Sequence, residues 1–236
     1  MEDRLTAIEN TSVFSIAIDG PAGAGKSTLA AMLAKKLGYI YIDTGALYRT
    51  VGVNAINYAG GYGDREKVIE SLGSCEISLK IEDKVQKIYL NGECVGANIR
   101  TPEASLAASA VSAIPEVRQF LLDFQRNAAE KYNVIMDGRD IGTVILPQAQ
   151  VKIFLTAKPE ARAARRYAEL SEKGAGVTYE QVLADIIKRD KNDSERAAAP
   201  LKPAEDSITA DTTDLTLEQS FELLLEIINK KLAVVK

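Results

Sequence analysis

Histidine is absent from this chain of 236 residues. A Ser-His-Asp triad, a Cys-His pair and a His-ligated zinc site are therefore excluded. Cysteine is scarce, and the two present, Cys75 and Cys94, form no metal-ligand cluster. They read as the packed or surface thiols of a cytoplasmic protein, where a structural disulfide would be unusual. No apolar run is long enough to cross a bilayer. The first residues, Met1-Glu2-Asp3-Arg4, are acidic and show no signal-peptide core. Excess positive charge is missing too: the net charge of −4 argues against a nucleic-acid-binding surface as the main business and leaves room for a local basic site. An Asn-Lys-x-Asp stretch for guanine is also lacking, which disfavours a GTP-dependent switch. None of these absences hinders phosphoryl transfer. An acceptor that is itself a phosphate is mostly ionised at neutral pH, because its second pKa is about 6. Such a reaction needs cations that hold two anions together, and no general base.

The chain does contain the octapeptide Gly20-Pro21-Ala22-Gly23-Ala24-Gly25-Lys26-Ser27, which has the GxxxxGKS form. The apolar, β-branched run at 14–19 predicts a strand before it, and the Ala-, Leu- and Lys-rich run at 28–37 predicts a helix after it. Strand, Gly-rich loop and helix are the context of a phosphate-binding P-loop. Gly20, Gly23, Ala24, Gly25, Lys26, Ser27 and Thr28 are the candidate nucleotide-binding residues. Glycines let backbone N–H groups turn inward, and the helix N-terminus favours an anion. Lys26 can then reach the terminal phosphates, and the Ser27 hydroxyl is a candidate Mg²⁺ ligand.

Further along, short apolar runs at 39–42, 134–136, 151–155 and 207–211 predict four more strands. Helices are expected at 46–58, at 102–131 with an interruption near Pro115, at 159–170, at 179–191 and at 217–232. This is an α/β pattern with a buried parallel sheet of five strands. Two interruptions stand out. Residues 74–97 alternate with period two and contain the tight-turn pair Asn91-Gly92, which predicts a small antiparallel sheet. The Gly60-Gly61 pair introduces it. A second insertion contains Lys173-Gly174-Ala175-Gly176, a flexible break. Both insertions are expected to move over substrates and shut out water.

Arginine placement is the second informative feature. Arg139 follows a strand, at a position where function concentrates. Arg49, Arg100, Arg118, Arg189 and Arg196 are further candidates for phosphate, since guanidinium donates two parallel hydrogen bonds and stays charged. Arg162, Arg165 and Arg166 share one helix, and for Arg162, as for Arg4, a solvated face is expected. Asp137 ends an apolar strand and is a candidate for orienting Mg²⁺, through water; Asp43 ends the neighbouring strand and competes for that role. Asp140 lies deeper in its loop and is free to read a base.

The P-loop, the stretch Asp43-Thr44-Gly45-Ala46-Leu47-Tyr48-Arg49, the stretch Asp137-Gly138-Arg139-Asp140-Ile141-Gly142-Thr143 and the segment from Lys188-Arg189-Asp190 through Arg196 together resemble the bacterial cytidylate kinases. Ile99-Arg100-Thr101, Pro115-Glu116-Val117-Arg118 and the strand at 151–155 extend the resemblance from about residue 13 to about residue 230. It implies the nucleoside-monophosphate-kinase fold: a five-stranded parallel core with helices on both faces, a monophosphate-binding insertion with a small antiparallel sheet, and a helical lid. The corresponding division is core 1–48, insertion 49–130, core 131–160, lid 161–190 and core 191–236. The resemblance implies ATP as phosphoryl donor with Mg²⁺, CMP and dCMP as substrates, and a cytoplasmic monomer. Carried over in this way, Lys26, Arg139, Arg189 and Arg196 would serve catalysis. Thr44, Tyr48, Arg49 and Arg139 would lie on the acceptor side, with Ser109, Arg118 and Asp140 facing cytosine. Arg189 and Asp193 would lie near the sugar, and Arg196 near the transferring phosphates. The family often has Ser at the position of Thr44, and varies at that of Ser27.

Base choice has a physical rationale of its own. Cytosine offers an exocyclic amine that a carboxylate accepts from, whereas uracil would turn a carbonyl oxygen toward Asp140. Arg118 can donate to the ring nitrogen and carbonyl of cytosine. A kinase for another monophosphate or a small hydroxylated metabolite would share the P-loop without needing Arg118 and Asp140 together.

Overall fold

Ile16, Ala17 and Ile18 are completely shielded from solvent, so the strand before the Gly-rich loop must be covered on both faces. In this computed structural model, which describes residues 13–82, 85–172 and 174–235, that strand is β1 (Ser15–Asp19). The readings of residues 1–4, including Arg4, and of Lys173 lie outside the described residues. After β1 come α1 (Lys26–Leu37), β2 (Ile40–Asp43), α2 (Thr44–Ala59), α3 (Arg65–Ser71), β3 (Ile77–Glu82), β4 (Val85–Leu90) and β5 (Glu93–Cys94). There follow α4 (Pro102–Val111), α5 (Pro115–Lys131), β6 (Val134–Gly138), a π-helical turn (Ile141–Ile145), β7 (Val151–Thr156), α6 (Pro159–Glu172), α7 (Tyr179–Glu195), β8 (Ile208–Asp211) and α8 (Leu217–Val235).

Five of the strands form the expected parallel core, in the order β2-β6-β1-β7-β8. Successive side chains point to opposite faces. Ile16 and Ile18 pack with Leu29 and Leu33 of α1 and Leu224 and Ile228 of α8. Ala17 packs on the other face with Ile42, Val134 and Met136, which Leu122 and Ala128 of α5 help to cover. Helices thus lie on both faces of the sheet.

The antiparallel sheet predicted for residues 74–97 is present as β3, β4 and β5. It is not detached from the core. β4 pairs in parallel with β2 at Tyr41 and Val85, so the two sheets are continuous. A third apolar cluster fills the space between this sheet and α2, α4 and α5, with Leu47, Val51, Ala55, Val111, Val117 and Leu121 at its centre. Helix α3, at residues for which no element was expected, is capped by Asp64, whose carboxylate accepts from the backbone N–H groups of Glu66 and Lys67. Pro115 starts a new helix, where its missing N–H costs nothing.

The strand register matters for the site. Asp43 stands beside Asp137, and Asp19 beside Gly138. Three carboxylates therefore project from the carboxyl ends of adjacent parallel strands, the edge where open α/β sheets bind ligands.

Candidate active site

The Gly-rich loop leaves β1 through Gly20, where a side chain is impossible: a Cβ there would stand 2.0 Å from the carbonyl oxygen of Leu155. Gly25 then enters α1 in the left-handed region, at φ 85°. No side chain caps α1 and its first turn contains no acid. Its leading N–H groups are left for an anion. Ala24 is buried, while Ser27 and Thr28 are exposed at the start of the helix. Lys26 is buried and donates from Nζ to the carbonyl of Pro21 at 2.8 Å. Burial drives its pKa far below the ordinary lysine range. Arg139 and Arg189 push the same way, against Asp137 and Asp19. A phosphate on the loop would supply the negative charge this lysine needs.

The two acids that competed for the metal role have different partners. Asp137 accepts from Ser27 Oγ at 2.9 Å and from the Tyr41 hydroxyl at 2.8 Å. Burial, then the charge of Asp43, raises its pKa. Asp43 instead caps α2 through the N–H of Ala46 at 2.9 Å and binds Arg49 at 2.8 Å, with Arg100 at 3.9 Å. Asp43 therefore organises arginines, and Asp137 faces the P-loop hydroxyl.

The loop after β6 is held from below by Asp19. Its two carboxylate oxygens accept from the N–H groups of Ile141 and Gly142, each at 2.7 Å. Burial pushes its pKa up to about 6. Thr44 Oγ1 donates to the carbonyl of Asp137 at 2.7 Å, which fixes the start of the same loop. Asp140, at the loop's tip, is buried and lies between Arg118 and Arg196; the Arg118 guanidinium binds it directly, and Arg196 stands 3.5 Å away. Arg118 also covers the ring of Tyr48, 5.7 Å from its centroid, and donates to the carbonyl of Ser112 at 3.2 Å. Burial pushes the Tyr48 hydroxyl to about 12. Ser109 sits half-buried one turn back on α4.

Across the cleft, Arg139 pairs with Asp193 of α7 at 2.7 Å. Burial raises the pKa of Asp193, but the arginines around it outweigh that and hold it below the usual carboxylate range. Arg189 is brought down to about 10 by burial and then by Arg139. The fold thus gathers Lys26, Arg139 and Arg189 in one place and sets Arg196 with Asp140 and Arg118. Of the six buried side-chain polar atoms without a partner among the described residues, three belong here: Tyr48 Oη, Arg49 Nε and Arg189 Nε.

One expectation is overturned. Arg162 is not on a solvated face; it is 2% exposed. Its guanidinium donates to the carbonyls of Ala157 at 2.8 Å and Ala22 at 2.9 Å, and binds Asp190 at 2.5 Å. Arg165 reaches the carbonyls of Thr212, Thr213 and Leu215, so only Arg166 of the three stays on the surface, beside Glu169. Sequence reasoning also passed over Asp19 and Tyr41. The one local signal for Asp19 was an acid ending the strand that feeds the Gly-rich loop.

A family model described as Cytidylate kinase matches residues 16–230. A cytidylate kinase of Caldicellulosiruptor bescii is 51% identical over 216 residues, covering 92% of this chain and 96% of that protein. A cytidylate kinase of Caldanaerobacter subterraneus subsp. tengcongensis is 52% identical over 215 residues, 91% of this chain and 94% of its own length. Among solved structures, an uncharacterized protein from Eubacterium ventriosum shares the fold at 12% identity and a TM-score of 0.51, covering 92% of this chain and 98% of that one.

Proposed function

Because the chain belongs to the cytidylate kinase family, we propose that it transfers the γ-phosphoryl group of ATP to CMP and to dCMP, yielding ADP and CDP or dCDP. The observation that carries this reading is Asp140 held between Arg118 and Arg196, at the end of a loop anchored to the strand that bears the P-loop. A carboxylate acceptor and arginine donors side by side suit cytosine.

In the proposed reaction, ATP lies with its phosphates on residues 20–28 and Lys26 at the γ-phosphate. Thr44, Arg49 and Arg139 hold the acceptor phosphate, with Tyr48, Ser109, Arg118 and Asp140 around the base and Asp193 near the sugar. An acceptor oxygen attacks the γ-phosphorus, the bond to the bridging oxygen breaks, and ADP leaves with the electron pair. Lys26, Arg139 and Arg189 stabilise the charge on the transferring group, joined by Arg196 from the base side. Ionised groups do this without a proton transfer, in keeping with the absence of histidine.

Ser27 and Asp137 offer one hydroxyl and one carboxylate 2.9 Å apart. That sparse oxygen set fits Mg²⁺, which takes one or two protein ligands and completes its shell with water and substrate phosphates. Bound there, Mg²⁺ would neutralise phosphate charge. We further propose a core, insertion and lid divided near residues 49, 131, 161 and 191. We also propose that the protein is a monomer. No helix among the described residues is long and apolar enough to cross a membrane. A cytoplasmic protein with small-molecule partners and no nucleic acid completes the proposal.

The test is ADP release with CMP, dCMP, UMP, AMP and GMP as acceptors. CMP and dCMP should give the highest specificity constants. A preference for another monophosphate, or ADP release that ignores the acceptor, would overturn the assignment.

A further inference from the structure

Arg162 is rooted at the base of α6, where its Nε donates to the carbonyl of Ala157 at 2.8 Å. From there one guanidinium joins three elements. Nη1 donates to the carbonyl of Ala22 in the Gly-rich loop at 2.9 Å, and the fork grips Asp190 of α7 at 3.1 and 2.5 Å. The side chain is 3% exposed, so these are its surroundings. The contact with the loop is close elsewhere too: a Cβ on Gly23 would lie 3.4 Å from Arg162 Cβ and 3.6 Å from Ile186 Cδ1. Both lid helices therefore rest on the Ala22–Gly23 peptide.

A trans peptide points its C=O and its N–H in opposite directions, and the chain has no cis bond among the described residues. Holding the Ala22 carbonyl toward the lid therefore turns the Gly23 N–H away from it. Asp190 also adjoins Arg189, whose Nε is buried and unpartnered. Lysine could make only part of this set, because only a planar fork serves a carboxylate and two carbonyls at once.

We propose that Arg162 is a positioning residue through which the lid sets the direction of the Ala22–Gly23 peptide, so that docking of the lid and completion of the donor-phosphate cradle are one event. This rests on reading the Gly-rich loop as the ATP site. Arg162 touches neither the acceptor nor the base. Its loss should weaken the donor nucleotide selectively.

The variants are Arg162→Met, Arg162→Lys and Asp190→Asn, each compared with the parent for binding of a fluorescent ATP analogue and for the KM of CMP. Removing one partner of a buried hydrogen-bonded set should weaken ATP about tenfold to a hundredfold in Arg162→Met. The KM of CMP should stay within about threefold, the mark of a one-sided loss of binding. Arg162→Lys should be intermediate, and Asp190→Asn smaller in the same direction. In ¹⁵N-labelled protein the Gly23 amide resonance should move in both conservative variants. If Arg162→Met does not fold, the other two decide by the same criteria. Unchanged ATP affinity, or equal weakening of ATP and CMP, would overturn the proposal. A parent that binds no ATP would overturn the donor-site reading itself, and is distinct from a parent that binds ATP alongside variants that bind it as well.

Discussion

The two insertions are built from different forces. The first packs sixteen buried apolar residues into a cluster shared by α2, α3, α4, α5 and the antiparallel strands. Its sheet continues the core sheet through Tyr41 and Val85, and Gln86 accepts from the N–H of Asp43 at 2.8 Å. Among the described residues, the lid buries Ala163, Val182 and Ile186 in its own cluster, with Leu170, Val177, Tyr179 and Leu183 half-buried against them. What ties it down is polar: Arg162 of α6 to the carbonyl of Ala22 and, where α7 continues past the lid, Asp193 to Arg139. Each buried Val, Leu or Ile side chain contributes about 1.5–3 kcal/mol that no substrate can replace. Polar contacts beside a phosphate site, such as that of Arg139 with Asp193, can be exchanged for contacts with phosphate, while Arg162 stays on the Ala22 carbonyl. On the proposed division, the first insertion is expected to keep its internal shape and the lid to be the part that remakes its contacts.

Core truncation should show the difference most strongly. Leu121 is fully buried in the first insertion, and Leu121→Ala should cost about 2–5 kcal/mol of stability. Ile186→Ala in the lid should cost less and raise the KM of ATP instead. Equal losses of stability, read from denaturant midpoints, would break the comparison.

Lys26 sits between the two regions and belongs to neither apolar cluster. Lys26→Ala should lower transfer by about 10²–10³-fold, the scale of losing one preorganised charge donor, and leave the thermal midpoint near that of the parent. Near-normal turnover would remove the P-loop from the mechanism.

Asp140→Ala should lower the CMP-to-UMP ratio of specificity constants by about tenfold to a hundredfold, since the cytosine amine loses its acceptor. Both substrates should also bind less well, because Arg118 and Arg196 lose their partner. An unchanged ratio would leave Asp140 a structural role only.

The smallest effect concerns Asp19. Burial raises its pKa from 3.8 to about 6, so the folded protein holds a proton that the unfolded chain has already released in that window. Stability therefore falls as pH rises from about 4 to about 6. Asp19→Asn cannot titrate, and the fall should flatten in thermal midpoints taken across the window. An unaltered slope would assign the pH dependence elsewhere.

What the sequence made legible follows from range. The P-loop was readable because backbone geometry demands glycine at set positions, as at Gly20 against Leu155. β1, β6 and β7 were readable because strands covered on both faces are short apolar runs. Arg162 was not, because its burial depends on a carbonyl 140 residues away. Asp19 was obscure for the same reason: its partners are backbone N–H groups of Ile141 and Gly142, which have no side-chain signature. Helix α3, at seven residues, is too short to show a period, and only Asp64 at its start hinted at it. The chemistry-bearing motifs could be seen one by one, but the pairs Asp140 with Arg196 and Arg139 with Asp193 required the fold.

Hydrogen exchange with and without ATP and CMP together addresses the contrast between the insertions most directly. Amides of the lid, from α6 through α7, and of residues 20–28 should gain strong protection, because their contacts are remade around the phosphates. Amides within β3 and β4 and of α5 should change little, since a body that turns as a unit keeps its internal hydrogen bonds. Equal gains in the lid and in the first insertion, or a gain confined to the insertion, would contradict a lid held by exchangeable polar contacts beside an insertion held by its own core.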